Sequence, residues 1–131
     1  MKRLATKRML VVLPVLAAAF AVAGAAQAST IGQLQALGAA KSYLSSGGFS
    51  RAGLIRQLES PYGEDFSHSD AVWGVNHAHA NWNAEAVQSA KSYLSMGGGF
   101  SRASLIHQLE SAYGERFTHA QAVYGVSVAY R

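Results

Sequence analysis

The chain has 131 residues, with 11 Lys and Arg against 7 Asp and Glu, and no cysteine. Without a thiol it can carry neither a stabilising disulfide outside the cell nor a thiol-linked lipid. Four of the basic residues, Lys2, Arg3, Lys7 and Arg8, precede an apolar run; the rest balance seven against seven acids, so the basic excess argues for neither nucleic acid nor anionic lipid as partner.

Met1 to Arg8 is basic, Met9 to Ala26 is apolar and alanine-rich, and Ala26-Gln27-Ala28 closes the run on small residues. This order predicts a secretory signal peptide over residues 1–28, cleaved after Ala28. The alternative is an uncleaved membrane anchor, since the apolar run is just long enough to span a bilayer. In either case the rest of the chain is expected outside the cytoplasm, secreted or at the cell envelope.

Most of the remainder is written twice. Ala40-Lys41-Ser42-Tyr43-Leu44 returns as Ala90-Lys91-Ser92-Tyr93-Leu94, and Phe49-Ser50-Arg51-Ala52 to Ser60 returns as Phe100-Ser101-Arg102-Ala103 to Ser111. One glycine is gained between the copies, where Gly47-Gly48 becomes Gly97-Gly98-Gly99. Such self-similarity marks a repeat architecture, here placed over residues 29–78 and 79–131. At roughly 50 residues each copy is near the lower size limit for folding alone, so the two are expected to pack on each other or on a partner.

Each copy predicts three short helices and no strand. Ala36, Leu37, Ala40, Tyr43 and Leu44 recur at helical spacing, as do Ala86, Val87, Ala90, Tyr93 and Leu94. Asn83 is the expected cap of the second of these helices, with Trp82 closing over Val87 as a hydrophobic staple. Ser50 and Ser101 each stand between a phenylalanine and the next apolar run, Leu54-Ile55-Leu58 or Leu105-Ile106-Leu109, which is again cap and staple. The third helix opens on the capping boxes Ser67-x-x-Asp70 and Thr118-x-x-Gln121, with Ala71, Val72 and Val75, or Ala122, Val123 and Val126, facing inward. The polar stretch Asn76 to Asn83 reads as a linker or a frayed helix end. The fold class is therefore all-α, two three-helix units in tandem behind a leader.

The motifs A-K-S-Y-L, F-S-R-x-x-L-I-x-Q-L, Y-G-E-x-F and A-V-x-G-V, with Asn81-Trp82-Asn83 leading into the second copy, resemble the repeat of the host-cell-surface-exposed lipoproteins. This is the Ltp-type, helix-turn-helix-like family of phages and Gram-positive bacteria. The resemblance implies an exported tandem three-helix module and, in phage-encoded members, superinfection exclusion, in which an infected cell blocks the DNA of another phage. It brings no catalytic residue and no cofactor. Many family members carry a lipobox cysteine after the leader; this chain does not, so the lipid anchor drops out and contact with a membrane is left to an uncleaved leader.

Sharper chemistries fare poorly against the residues. A DNA-recognition helix needs Lys or Arg for the phosphates, yet Ser67 to His79 has neither and the counterpart from Thr118 has only Arg131. Gly48-Phe49-Ser50-Arg51-Ala52 resembles a hydrolase elbow, but that serine needs a preceding strand and serves better as a helix cap. His77 and His79 are two apart, which on a helix points them to opposite sides, so they hold no metal together unless that end is unwound, and His68 and His119, which recur in register, read as ordinary first-turn polar residues. Trp73 and Tyr124, aromatic in both copies and set off from the inward face, together with Tyr62 and Tyr113 and with Tyr130, could anchor a protein partner, where aromatics carry much of the energy; alternatively they fill junctions between helices. The expected function is a non-enzymatic protein-binding module that engages an envelope protein or an incoming phage protein. A secreted structural or cell-wall-associated repeat protein is the alternative.

Overall fold

A computed structural model describes residues 27–131; the predicted leader, apart from the last residues before its cleavage site, lies outside them. The described residues form six helices and no strand: α1 (Ile31–Ser46), α2 (Arg51–Glu59), α3 (His68–His77), α4 (Trp82–Ser95), α5 (Arg102–Glu110) and α6 (His119–Ala129). Three belong to each copy. None of them is long and apolar enough to cross a membrane.

Local hydrogen bonding sets most of the helix starts. Ser50, Ser67 and Ser101 accept from the backbone N–H three residues on, as the sequence predicts. Thr118 and Gln121 complete a reciprocal capping box. Ser67 and Asp70 form only half of one, because the shorter Asp70 carboxylate is turned toward Gly32 of α1 instead of back to the cap. A box the sequence reading did not anticipate opens α1: Gln33 N–H donates to Thr30 Oγ1 at 3.1 Å and Thr30 N–H to Gln33 Oε1 at 2.9 Å. This extends the helix to 16 residues, a turn beyond the apolar stripe.

The start of α4 corrects the expectation. The cap is Asn81, which accepts from Ala84 N–H at 3.0 Å, and not Asn83. Trp82 is therefore the first helical residue and cannot staple Val87. It packs instead, half-buried, against the core of the first repeat. The stretch between the copies is correspondingly short, with only residues 78–81 between α3 and α4.

Each repeat has its own core. The first is built on Ala40, Leu54, Ile55, Leu58, Ala71 and Val75; the second on Ala86, Ala90, Leu105, Leu109, Phe117, Ala122 and Val126. Each fully buried leucine contributes about 1.5–3 kcal/mol. Within a repeat the first and third helices pack most extensively. They approach backbone to backbone where Gly74 meets Ala36, and where Gly125 meets Ala86. Here too the sequence reading needs amending: Val72 is half-buried and Val123 is 39% exposed, while the buried inner positions belong to the two glycines. A glycine at that place lets the helices come so close that the neighbouring valine is left at the rim.

Candidate interaction surface

Between α2 and α3, and again between α5 and α6, the chain makes an eight-residue turn with a tyrosine at its tip. Tyr62 is 100% exposed and Tyr113 is 98% exposed. Neither ring is held by packing, yet both turns are fixed beneath. Gly63 N–H donates to the Ser60 carbonyl and Phe66 N–H to that of Leu58, both at 2.9 Å; Gly114 and Phe117 repeat these bonds at 3.0 and 2.8 Å. The turn ends in a left-handed residue, Asp65 (φ 54°) or Arg116 (φ 63°).

A side-chain network ties each turn to the body of its repeat. Tyr43 of α1 donates its hydroxyl to Glu64 Oε1 at 2.5 Å, and Gln57 Nε2 of α2 donates to the same hydroxyl oxygen at 3.3 Å. Tyr93, Glu115 and Gln108 reproduce it at 2.6 and 3.3 Å. The acid two residues beyond the tip is thus a strut, and the tip aromatic is presented on a stiff support. The hydrogen bond to Glu64, helped by burial and by the negative charge of that carboxylate, raises the Tyr43 phenol above its ordinary value. For Tyr93 burial is the larger cause, followed by the bond to Glu115.

The sign follows from linkage. The folded state holds these protons more tightly than the unfolded chain, so their contribution to stability is complete below the free phenol value of 10.0 and disappears as pH rises from there through the raised values. Urea midpoints are expected to fall along that alkaline limb. In a Tyr43→Phe, Tyr93→Phe variant the limb should flatten; a limb as steep as the native one would show that these phenols are not its origin.

Trp73 and Tyr124 lie on the outer sides of α3 and α6. Trp73 is half-buried and stacks on His77, with ring centroids 3.7 Å apart and planes 15° apart, while His77 Nδ1–H donates to the Trp73 carbonyl at 2.8 Å. His79, 6.5 Å from His77 between ring centroids, has left the helix with φ 52°. Tyr124 is 46% exposed. Among the described residues no ring pair joins two of Trp73, Tyr124, Tyr62 and Tyr113, so they form separate contact points and not one aromatic patch. Tyr130 serves the fold: its hydroxyl donates to the Phe100 carbonyl, and the Arg102 guanidinium lies 4.7 Å from its ring centroid.

The recurrence of His68 and His119 is visible in the sequence, but their pairing is not. His68 pairs with Glu59 at 2.7 Å and His119 with Glu110 at 2.6 Å, clipping the end of the second helix to the start of the third in each repeat. Both pairs, like the tyrosine struts, recur in register between the copies; recurrence of polar residues in pairs was the available signal.

The repeats do pack on each other, through a loop laid against a helix. Phe49 N–H donates to Glu85 Oε1 at 3.0 Å, Gln88 Nε2 donates to the Ser46 carbonyl at 3.2 Å, and the Ser50 hydroxyl donates to the Glu115 carbonyl. Ser50, only 1% exposed, is therefore both the cap of α2 and a bond to the other repeat.

Residues 33–78 and 81–128 match the model of a family described as host cell surface-exposed lipoprotein. Among solved structures, Ltp, a superinfection exclusion protein from the Streptococcus thermophilus temperate phage TP-J34, superposes with a TM-score of 0.68 at 26% sequence identity, over 76% of this chain and 97% of that one. No curated protein matches the chain.

Proposed function

The chain belongs to the host cell surface-exposed lipoprotein family, and from that premise we propose that it is an exported, non-enzymatic protein-binding module of the cell envelope. It engages an envelope protein or an incoming phage protein, and in doing so hinders passage of phage DNA into the cell. The observation that carries this reading is the likeness, over nearly the whole of its partner in the comparison, to a superinfection exclusion protein. The doubled, fully exposed tyrosine tips support it, since rigid aromatics on a polar surface suit protein recognition. No cysteine is present to carry a lipid, so retention at the envelope falls to an uncleaved leader or to the partner itself.

The test is expression in the native host followed by challenge with several phages. Adsorption is expected to be unchanged and DNA delivery to be reduced for at least one of them; unaltered infection by all would overturn the reading. The doubling also suits a wall-associated structural protein whose repeats add valency, and firm retention by purified cell wall with no effect on infection would favour that one.

A further inference from the structure

The contact between the repeats is directional, and one half of it is left open. The tip of repeat 1, Gly47-Gly48-Phe49 with Ser50 behind it, lies against repeat 2 at Glu85, Gln88, Ser89 and Glu115, and so walls one side of a groove completed by Ser92, Tyr93 and Met96. Repeat 1 has the same surface at the equivalent positions, lined by Ala39, Ser42, Tyr43, Ser46 and Glu64, and no tip is laid against it among the described residues. Its wall is roomier, because Gly38 stands where Gln88 stands in the other copy and has open space above it.

We infer that this open groove is a docking site for a turn of a partner protein with the chemistry of the segment laid against its twin. That chemistry is a glycine in the left-handed conformation, a following residue that offers its backbone N–H while its own ring stays in its own core, as Phe49 does against Tyr43, then a serine or threonine whose hydroxyl donates to the Glu64 carbonyl. Each element has its counterpart in repeat 2. Gly48 has φ 83° and lies against the Ser89 backbone; Phe49 gives its N–H to Glu85, whose equivalent, Gln35, also offers a side-chain acceptor; Ser50 donates to Glu115. Before the glycine the partner is less restricted: a Cβ on Gly47 would stand 2.1 Å from the Gln88 side chain, an obstacle that Gly38 removes in repeat 1.

A second copy of the chain is a poor occupant. Its free tip, Gly97-Gly98-Gly99-Phe100, is one glycine longer. Gly53, whose added Cβ would lie 3.2 Å from the Glu115 carbonyl, is replaced there by Ser104. Ser101, which should donate outward, already donates to Ser104 Oγ at 3.0 Å. The second tip is thus closed off while the first groove stays open, which leaves the groove to a foreign turn. This deepens the partner-binding reading above and rests on it for there being a partner, but its chemistry can be tested with no phage present.

The experiment makes repeat 2 resemble repeat 1. A chain lacking Gly97 and carrying Ser104→Gly offers the tip that the groove is built for, and Ser104→Gly alone covers the case in which the shortened loop fails to fold. Sedimentation of the unaltered chain is expected to show a monomer. The altered chains are expected to associate head to tail with a constant at least about tenfold higher, the worth of one well-made contact, and Ser42→Arg in the groove should reverse this. Altered chains that fold but stay as monomeric as the native one, or that associate regardless of Ser42→Arg, would overturn the groove chemistry. Association of the native chain that is abolished by Ser42→Arg would overturn the choice of a foreign partner and give the groove to a second copy.

Discussion

Gly74→Ala and Gly125→Ala are each expected to destabilise the protein by about 1–3 kcal/mol, the cost of overpacking a close contact. A Cβ on Gly74 would stand 2.7 Å from both the Ala36 carbonyl carbon and the Leu37 nitrogen; on Gly125 it would stand 2.6 Å from the carbonyl carbon and oxygen of Ala86. These are backbone atoms, so relief requires moving α1 away from α3, or α4 away from α6. Alanine gains up to about 1 kcal/mol in helix propensity over glycine, which is too little to offset separating the most extensively packed helix pair in each repeat. Because the two sites lie in separate cores, the double variant should lose nearly the sum. Gly38→Ala is the control: an added Cβ there meets nothing within 4 Å, so propensity alone acts and the change should stabilise by about 0.4–1 kcal/mol. Urea unfolding decides it, and equal midpoints for Gly74→Ala and Gly38→Ala would sink the argument.

Tyr62→Ala combined with Tyr113→Ala is expected to leave folding almost untouched and to remove function. Both rings stand free of the protein, and surface changes of this kind alter stability by about 0.5 kcal/mol or less. At a partner interface, an aromatic anchor of the stronger kind contributes about 2 kcal/mol or more, so losing one should weaken binding about 30-fold. Losing both also removes the gain from binding at two points. A variant with a native melting curve that no longer reduces phage DNA delivery is the expected outcome; undiminished exclusion would show that the tips are not the recognition elements. The struts predict a graded companion result, since Glu64 and Glu115 hold the turns without forming the tips.

What could be read from the sequence was what the chain encodes locally. The doubling, the helical spacing of Leu54 and Leu58 and of Leu105 and Leu109, and the caps at Ser50, Ser101 and Thr118 each depend on residues within one or two turns of one another, and each appears in the structure where expected. Asn81 and Asn83 are equally able to cap, so local chemistry could not choose between them; the burial of Trp82 against a core formed by earlier residues accompanies the choice of Asn81. Val123 matches the inward spacing of Val126, but spacing does not reveal that Gly125 brings two backbones together and leaves the valine at the edge. Tyr62 and Tyr113 were identifiable as tip residues from the Tyr-Gly-Glu motif. Their supports were not, because Tyr43 and Glu64 are 21 residues apart and meet only once the helices pack.

Trp82 and Glu115 give the fold a direction in time. The first repeat has its own leucine core, yet one ring packed on that core comes from α4, and the carbonyl that receives the Ser50 hydroxyl comes from a turn 65 residues further along. In a chain that emerges amino terminus first, these last contacts of the first repeat can form only after most of the second has appeared. The earlier half waits, partly uncovered, for the later half to complete it, while the later half draws only a loop and a few polar bonds in return. Shortening the protein from its carboxyl end past Glu115 is therefore expected to cost the first repeat its Ser50 bond as well as dismantling the second, so the tandem resembles less two beads on a thread than a latch whose catch is made last.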